Sequence, residues 1–247
     1  MVISKKNKIG IIPARLHSKR LPKKILADIA GKPMVIRTAE QVSKSKRLDR
    51  VIIAIDDDET YKKLSAFNYE LVMTSNTHKS GTDRMVEVLK NIKNIQDDDI
   101  IINVQADEPF IDPMLIDKLV EKHDENPDIE MSTLISTQIE LKDYDNESIV
   151  KAFLDEDNFA IDFRRKGVSK YKHLGIYGFT KKALFRFVDF TQTDSEKSRS
   201  LEQMRALDNG IKIKAIITDK DSLSINTLND LLNFKASIKK VKNDRSF

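Results

Sequence analysis

Cysteine is missing altogether from the 247-residue sequence, which excludes disulfides and thiolate metal sites and agrees with a reducing compartment. Long hydrophobic runs are missing too: nothing approaches the roughly 18 to 20 apolar residues of a membrane span. The first residues, Met1-Val-Ile-Ser-Lys-Lys-Asn-Lys8, lead straight toward a strand with no apolar segment of signal-peptide length. A cytoplasmic protein is therefore expected. An excess of one charge sign is also lacking, since 43 Lys and Arg stand against 39 Asp and Glu, a net +4 spread along the chain. Lysine runs at the two ends have no interleaved aromatics, so they read as solvated surface and not as a track for single strands. No nucleic-acid partner is expected, although a weakly positive surface still draws in small anions. There is no internal repeat, no low-complexity linker and no G-x-x-x-x-G-K-[ST] phosphate loop.

What is present is an alternation of short apolar runs with amphipathic segments. Ile9 to Pro13, Val51 to Ile55, Leu71 to Met73 and Ile100 to Val104 read as buried strands. Pro33 to Val42 and Arg84 to Lys90 read as helical, and the acidic run Asp56 to Glu59 suits a helix start. This order predicts right-handed βαβ crossovers and a mostly parallel sheet, an α/β fold of Rossmann-like type. Beyond about residue 130 the pattern changes to strands at Met131 to Ile139, Val150 to Leu154, Phe159 to Phe163 and Leu174 to Phe179. Helices near Lys181 to Phe187 and Ser200 to Leu207, then a last strand–helix unit, complete the chain. The expectation is one domain, 1–247, with an antiparallel excursion in its second half; the exposed edge of that excursion suits pairing with a second copy.

In such sheets ligands sit beyond the carboxyl ends of the strands, which directs attention to the loops after Ile12, Met73 and Val104. The first, Arg15-Leu-His-Ser18-Lys19-Arg20-Leu-Pro-Lys23-Lys24, crowds five Lys and Arg into ten residues. Such crowding costs repulsion and suits a polyanion such as a triphosphate. The second, Ser80-Gly81-Thr82-Asp83-Arg84, has small residues that let a flat ligand approach a helix start; it reads equally as a capping turn with Thr82 or Asp83 as the cap. The third, Asn103-Val-Gln105-Ala106-Asp107-Glu108-Pro109, offers an acid for Mg²⁺ and an amide for a nucleobase edge.

Seven segments together carry a resemblance: Pro13-Ala-Arg15, Arg20-Leu-Pro-x-Lys24, Gly31-Lys-Pro-Met34, Ser80-Gly-Thr-x-Arg84, Asn103-Val-Gln-x-Asp107-Glu-Pro109, His173-Leu-Gly-Ile-Tyr-Gly178 and Leu201-Glu-Gln-x-Arg205. In this order, over almost the whole chain, they resemble the 3-deoxy-manno-octulosonate (Kdo) cytidylyltransferase family. The resemblance implies a nucleotidyltransferase fold and transfer of CMP from CTP to the anomeric hydroxyl of Kdo or a related 3-deoxy-ulosonic acid. Pyrophosphate is released, for the synthesis of lipopolysaccharide or a related surface glycan. It implies a nucleotide-binding part at about 1–130 and a sugar-binding part at about 131–210; the uncovered edge near 131–165 makes the latter the dimerisation part as well and a homodimer the expected state. It also implies roles. Arg15, Lys24 and Asp107 are the catalytic set. Pro13, Ala14, Arg15, Ser18, Arg20, Lys24, Thr74, Ser80, Gly81 and Gln105 hold the nucleotide. His173, Glu202, Gln203 and Arg164 hold the sugar acid, Tyr177 packs in the core of that lobe, and Mg²⁺ is held by Asp107 and Asn226.

Three departures from the family pattern bear on the acceptor. Asn226, in Ser224-Ile-Asn226-Thr227, stands where the family has an aspartate as second metal ligand, with Asp219 and Asp221 nearby and a helix-cap role also open. The stretch before His173 is shortened, leaving Arg164 or Arg165 to take the family arginine's place on the sugar carboxylate. Ala106 stands where glycine is usual. The nucleotide motifs are largely intact, so an altered acceptor such as 8-amino-Kdo is one expectation. Two other readings are a nucleotidyltransferase for neutral sugar phosphates, whose Gly-Gly-x-Gly-Thr-Arg-like loop is absent, and a CTP-binding protein with weakened catalysis.

Overall fold

The computed structural model describes residues 5–18 and 21–243, with side chains as far as residue 236. The first strand, β1 (Lys8–Ala14), leads through a short 3₁₀ turn (Lys24–Leu26) to the small hairpin β2 (Asp28–Ile29) and β3 (Lys32–Pro33) and then to helix α1 (Met34–Val42). There follow β4 (Arg50–Ile55), α2 (Asp58–Leu64), β5 (Glu70–Met73), α3 (Gly81–Lys90), β6 (Ile100–Asn103) and α4 (Pro113–Glu125). The second half comprises β7 (Met131–Ser136), β8 (Lys151–Leu154), β9 (Ala160–Arg164), β10 (Lys172–Thr180), α5 (Lys181–Asp189), α6 (Asp194–Arg199), α7 (Gln203–Asp208), β11 (Ile213–Thr218) and α8 (Leu228–Asn243).

The main sheet runs β11-β7-β10-β6-β1-β4-β5, with β8 hydrogen-bonded to β10 and β9 to β8. β1 is parallel to both β4 and β6, β4 to β5, and β11 to β7, whereas β10 is antiparallel to β6 and β7. The mostly parallel sheet with an antiparallel excursion is as the sequence predicts. From β1 the chain moves outward to β4 and β5, then returns to β6 on the other side of β1. The crevice between the carboxyl ends of β1 and β6 is therefore a switch point of the topology, where such sheets bind ligands.

Period-2 burial fixes the two faces. Ile9, Ile11 and Ile101 pack with Met85 and Leu89 of α3 and Phe187 of α5, while Ile12, Ile100 and Ile102 pack with Val35 and Ala39 of α1 and Leu115 and Leu119 of α4. A third cluster joins Leu21 and Ile29 to Met34, Ile225 and Leu231, so the segment after β1 is fastened to the start of α8.

Local chemistry departs from the sequence reading at three places. The acidic run does open α2, with Asp57 capping Thr60 N–H at 3.0 Å, but Asp56 is turned away into a buried ion pair. The cap of α3 is Ser80, not Thr82 or Asp83: its hydroxyl accepts from Asp83 N–H and the Asp83 carboxylate accepts from Ser80 N–H, both at 3.1 Å. The helix expected near Ser200 to Leu207 is α7, which starts at Gln203, and a further short helix, α6, precedes it and ends at Ser200, whose φ of 52° is left-handed.

Candidate active site

Three loops leave the same edge of the sheet and meet. Pro13 near the end of β1 and Arg15 just after it, His78 to Gly81 before and at the start of α3, and Gln105 to Asp107 after β6 line a cleft of about 250 Å³, with Lys24, Ile25 and Arg84 in its walls. Gly81 is needed for this approach, because a Cβ there would stand 3.2 Å from Pro13 Cβ. The framework behind the cleft is ionic. Arg84 donates to Asp56 at 2.9 Å and to the Thr74 hydroxyl, and Asp56 also accepts from Leu16 N–H at 3.0 Å. Both partners are almost fully buried. One carboxylate thus ties the loop after β1 to α3. Thr74, expected to hold nucleotide, is buried and donates to Ile55 C=O at 2.8 Å while accepting from Arg84; it supports the cleft from behind. The Ala14 side chain likewise lies in the core, and Ser18 is not among the lining residues. Arg20 lies outside the described residues.

Arg15 and Lys79 are exposed and, among the described residues, make no hydrogen bond or ion pair, so their donors are available to a ligand. Lys24 is engaged: its ammonium donates to Asp107 at 2.5 Å and to Asn226 Oδ1 at 3.3 Å. Ile225 N–H donates to Asp107 C=O at 2.9 Å, which brings the segment after β11 alongside the loop after β6. Asp107 and Asn226 thus present two oxygens to one cation, over 100 residues apart in sequence. A hard divalent ion that takes few protein ligands and completes its shell with phosphate and water fits this pair. Among the described residues no cluster of three or more His, Cys, Asp or Glu is arranged to hold a metal.

Gln105 and Asp107 also line a larger cavity of about 560 Å³, formed with Arg165, Lys172, His173, Tyr177, Glu202, Gln203, Asp221 and Asn226. A bulge in β10 shapes it. Between His173 and Tyr177 the register against β7 shifts, and Gly175 takes a φ of 68°. Four residues of regular strand span about 13 Å, yet the His173 and Tyr177 rings are 5.3 Å apart. Tyr177 O–H donates to Gln203 Oε1 at 3.2 Å, Gln203 Nε2 reaches His173 Nδ1 at 3.5 Å, and His173 Nε2 meets Thr133 Oγ1 at 2.8 Å. Thr133 donates onward to Ile176 C=O at 2.8 Å, so the proton between His173 and Thr133 must come from the imidazole. Burial pushes His173 down to about 3, keeping it neutral, and pushes the Tyr177 hydroxyl up. Every proton in the chain is assigned, and Gln203 is fixed in one amide orientation.

Glu202 lines the larger cavity and accepts from Thr82 at 2.9 Å; burial raises its carboxyl above the ordinary range. Glu108 is buried, accepts from Ser222, and is pushed up to about 8 by desolvation, with Asp107 and Asp221 adding repulsion. Arg164, expected at the sugar, does not line either cavity: it pairs with Asp162 at 2.5 Å and stacks over Phe153. Arg165 does reach the larger cavity, but Nε, Nη1 and Nη2 donate to the carbonyls of Arg199, Glu147 and Ser200 at 2.7, 2.8 and 2.9 Å. Sequence reasoning did not single out Lys79, His78, Lys172 or Glu108 as site residues. Only their position beside quoted motifs pointed to them.

A model of the cytidylyltransferase family matches residues 9–213. With a switch-point cleft of the kind described, the chain belongs to the cytidylyltransferase family and is a nucleotidyltransferase. It is 36% identical over 251 residues to 3-deoxy-manno-octulosonate cytidylyltransferase of Trichlorobacter lovleyi, covering 94% of this chain and 98% of that protein. To the protein of the same name from Thermodesulfovibrio yellowstonii it is 38% identical over 242 residues, covering 90% and 94%. The solved structure of CMP:2-keto-3-deoxy-manno-octonic acid synthetase complexed with CTP matches with a TM-score of 0.88 at 30% identity, over 95% of this chain and 99% of that one. A 4-diphosphocytidyl-2C-methyl-D-erythritol synthase from Anaerococcus prevotii, at 16% identity and a TM-score of 0.63, shares the fold alone. The family read from seven short motifs is the one that similarity over the whole chain gives.

Proposed function

We propose that the protein transfers CMP from CTP to the anomeric hydroxyl of 3-deoxy-manno-octulosonate or a close 3-deoxy-ulosonic acid, releasing pyrophosphate. The observation that carries this is the meeting of Arg15, Ser80 and Asp107 around one cleft that shares Gln105 and Asp107 with a second cavity of a size to hold a sugar acid. In this reading Pro13, Ser80, Gly81 and Gln105 receive the cytidine and Arg15, Lys24 and Lys79 the triphosphate, placing the α-phosphate at the junction of the cavities. Asp107 and Asn226 hold Mg²⁺, which when bound would neutralise phosphate charge. The acceptor lies against His173 and Gln203, whose orientation the Tyr177 relay fixes. The sugar oxygen attacks the α-phosphorus in line, its bond to pyrophosphate breaks, and the hydroxyl proton passes to solvent or leaving group. Positioning and charge neutralisation supply the catalysis.

Among the described residues no helix is long and apolar enough to cross a membrane, and the proposed reaction of two small water-soluble substrates suits the cytoplasm. Among the described residues β9 pairs with no strand but β8 and exposes Ile161, an edge suited to a second copy in a homodimer. The test is pyrophosphate release with CTP, Mg²⁺ and a panel of acceptors. Turnover with 3-deoxy-manno-octulosonate is expected, and preference for its 8-amino analogue would specify an altered acceptor. CTP binding without pyrophosphate from any acceptor would contradict the proposal and leave a nucleotide-binding protein; turnover only with neutral sugar phosphates would replace it with the other enzyme class.

A further inference from the structure

We infer that Lys172 binds the carboxylate of the acceptor, and that Asp221 holds its ammonium until the acceptor takes that place. The inference rests on the reading above, in which the larger cavity receives an acidic sugar. A carboxylate entering that cavity needs a cation with donors to spare, because Asp107, Glu202 and Asp221 also line it. His173 is neutral there. Arg165 spends three of its five N–H donors on backbone carbonyls, one from each nitrogen, which fixes it as part of the wall and leaves it less able than Lys172 to follow a ligand. Lys172, at the first position of β10, has an 11% exposed side chain and is hydrogen-bonded to the Asp221 carboxylate.

The pair is unequal. The Asp221 side chain is 41% exposed and belongs to the loop between β11 and α8. An ion pair whose acid is that well solvated contributes little and exchanges readily. An ammonium has three N–H donors and can follow a new carboxylate with small torsional change. When the acceptor arrives, Asp221 turns to water and Lys172 keeps one carboxylate partner throughout, so no buried cation is stranded. The same loop carries Asn226, and both residues line the larger cavity, so release of Asp221 happens in the segment that bears the second proposed metal ligand. Lys172 is thereby the specificity-determining cation for an acid acceptor, in a chain whose Arg164 lies elsewhere.

The test is steady-state pyrophosphate release at saturating CTP and Mg²⁺ with 3-deoxy-manno-octulosonate varied. Lys172→Met is expected to raise the acceptor KM at least tenfold and leave the CTP KM within about twofold, while Lys172→Arg keeps most of the affinity. Asp221→Asn removes the competing carboxylate and is expected to lower the acceptor KM several-fold. A purely structural latch would move both variants the same way, so an increase in acceptor KM for Asp221→Asn matching that of Lys172→Met overturns the inference, as does an unchanged acceptor KM in Lys172→Met. If Lys172→Met loses CTP binding through misfolding, the direction of the Asp221→Asn shift decides alone. Wild-type protein that binds CTP but gives no pyrophosphate with any ulosonic acid overturns the functional reading and this inference with it; normal wild-type turnover with unshifted variants overturns the inference only.

Discussion

Asp56 and Asn226 place opposite demands on a single side chain. Asp56 carries a full charge in the interior, and it is tolerated because Arg84 and Leu16 N–H satisfy it. Removing one member of a buried pair strands the other and costs roughly 3–5 kcal/mol. Asp56→Ala is therefore expected to lower unfolding free energy by about that amount in urea denaturation, and to weaken CTP binding because the loop bearing Arg15 loses its tether. Asn226 has the reverse difficulty: its amide oxygen faces the same cation as Asp107 without bringing charge. A carboxylate there would attract a divalent ion more strongly. Asn226→Asp is expected to lower the Mg²⁺ concentration for half-maximal pyrophosphate release several-fold, read from a metal titration at fixed CTP; an unchanged or higher requirement would remove Asn226 from the metal's surroundings.

At the scale of elements, α4, β7 and β10 are joined through a buried histidine. His123 on α4 meets Ser132 of β7 at 2.9 Å, and a Cβ on Gly178 of β10 would stand 2.9 Å from its ring nitrogen. Burial lowers His123 from 6.5 to about 4. Between these values the unfolded chain binds a proton that the folded chain excludes. The stability is therefore complete above pH 6.5 and is lost as pH falls toward 4. At about 1.4 kcal/mol per pKa unit, the loss is on the order of 3 kcal/mol. Denaturation at pH 7 and pH 4 should show that His123→Asn is less acid-sensitive than wild type by about this amount. Equal acid sensitivity would mean that His123 takes up its proton in the folded state. A second set of elements, β8, β9 and α6, is knit by cations on carbonyls. Lys151, fully buried, donates to Asn146, Ile149 and Arg165 C=O at 2.8, 2.9 and 2.7 Å, and Arg165 caps the break at Ser200. These bonds shape the wall of the larger cavity, which Arg165 lines.

For the whole molecule, the parallel half was readable because period-2 apolar runs and the order of strands and helices dictate a switch-point crevice. The loops carrying Arg15, Ser80 and Asp107 had to leave the same edge, and they do. What could not be read depends on pairing across the fold. Asp56 looked like a helix-start acid because its partner Arg84 is 28 residues away. Arg164 and Arg165 are adjacent, and only strand geometry decides that Arg164 faces Phe153 while Arg165 faces the cavity. Lys172 was hidden for another reason. It and His173 are consecutive partners of Ser136 and Ile135, and neighbours in a regular strand face opposite sides, yet both border one cavity.

The central claim, that the junction at Asp107 is where CTP meets an acidic sugar, is tested most directly by a crystal structure of the protein with CTP and Mg²⁺. The account predicts cytosine against Ser80, Gly81 and Gln105, the triphosphate against Arg15 and Lys24, and the α-phosphate beside Asp107 facing the His173 cavity. Nucleotide bound away from Asp107, or with its α-phosphate turned from that cavity, would contradict it.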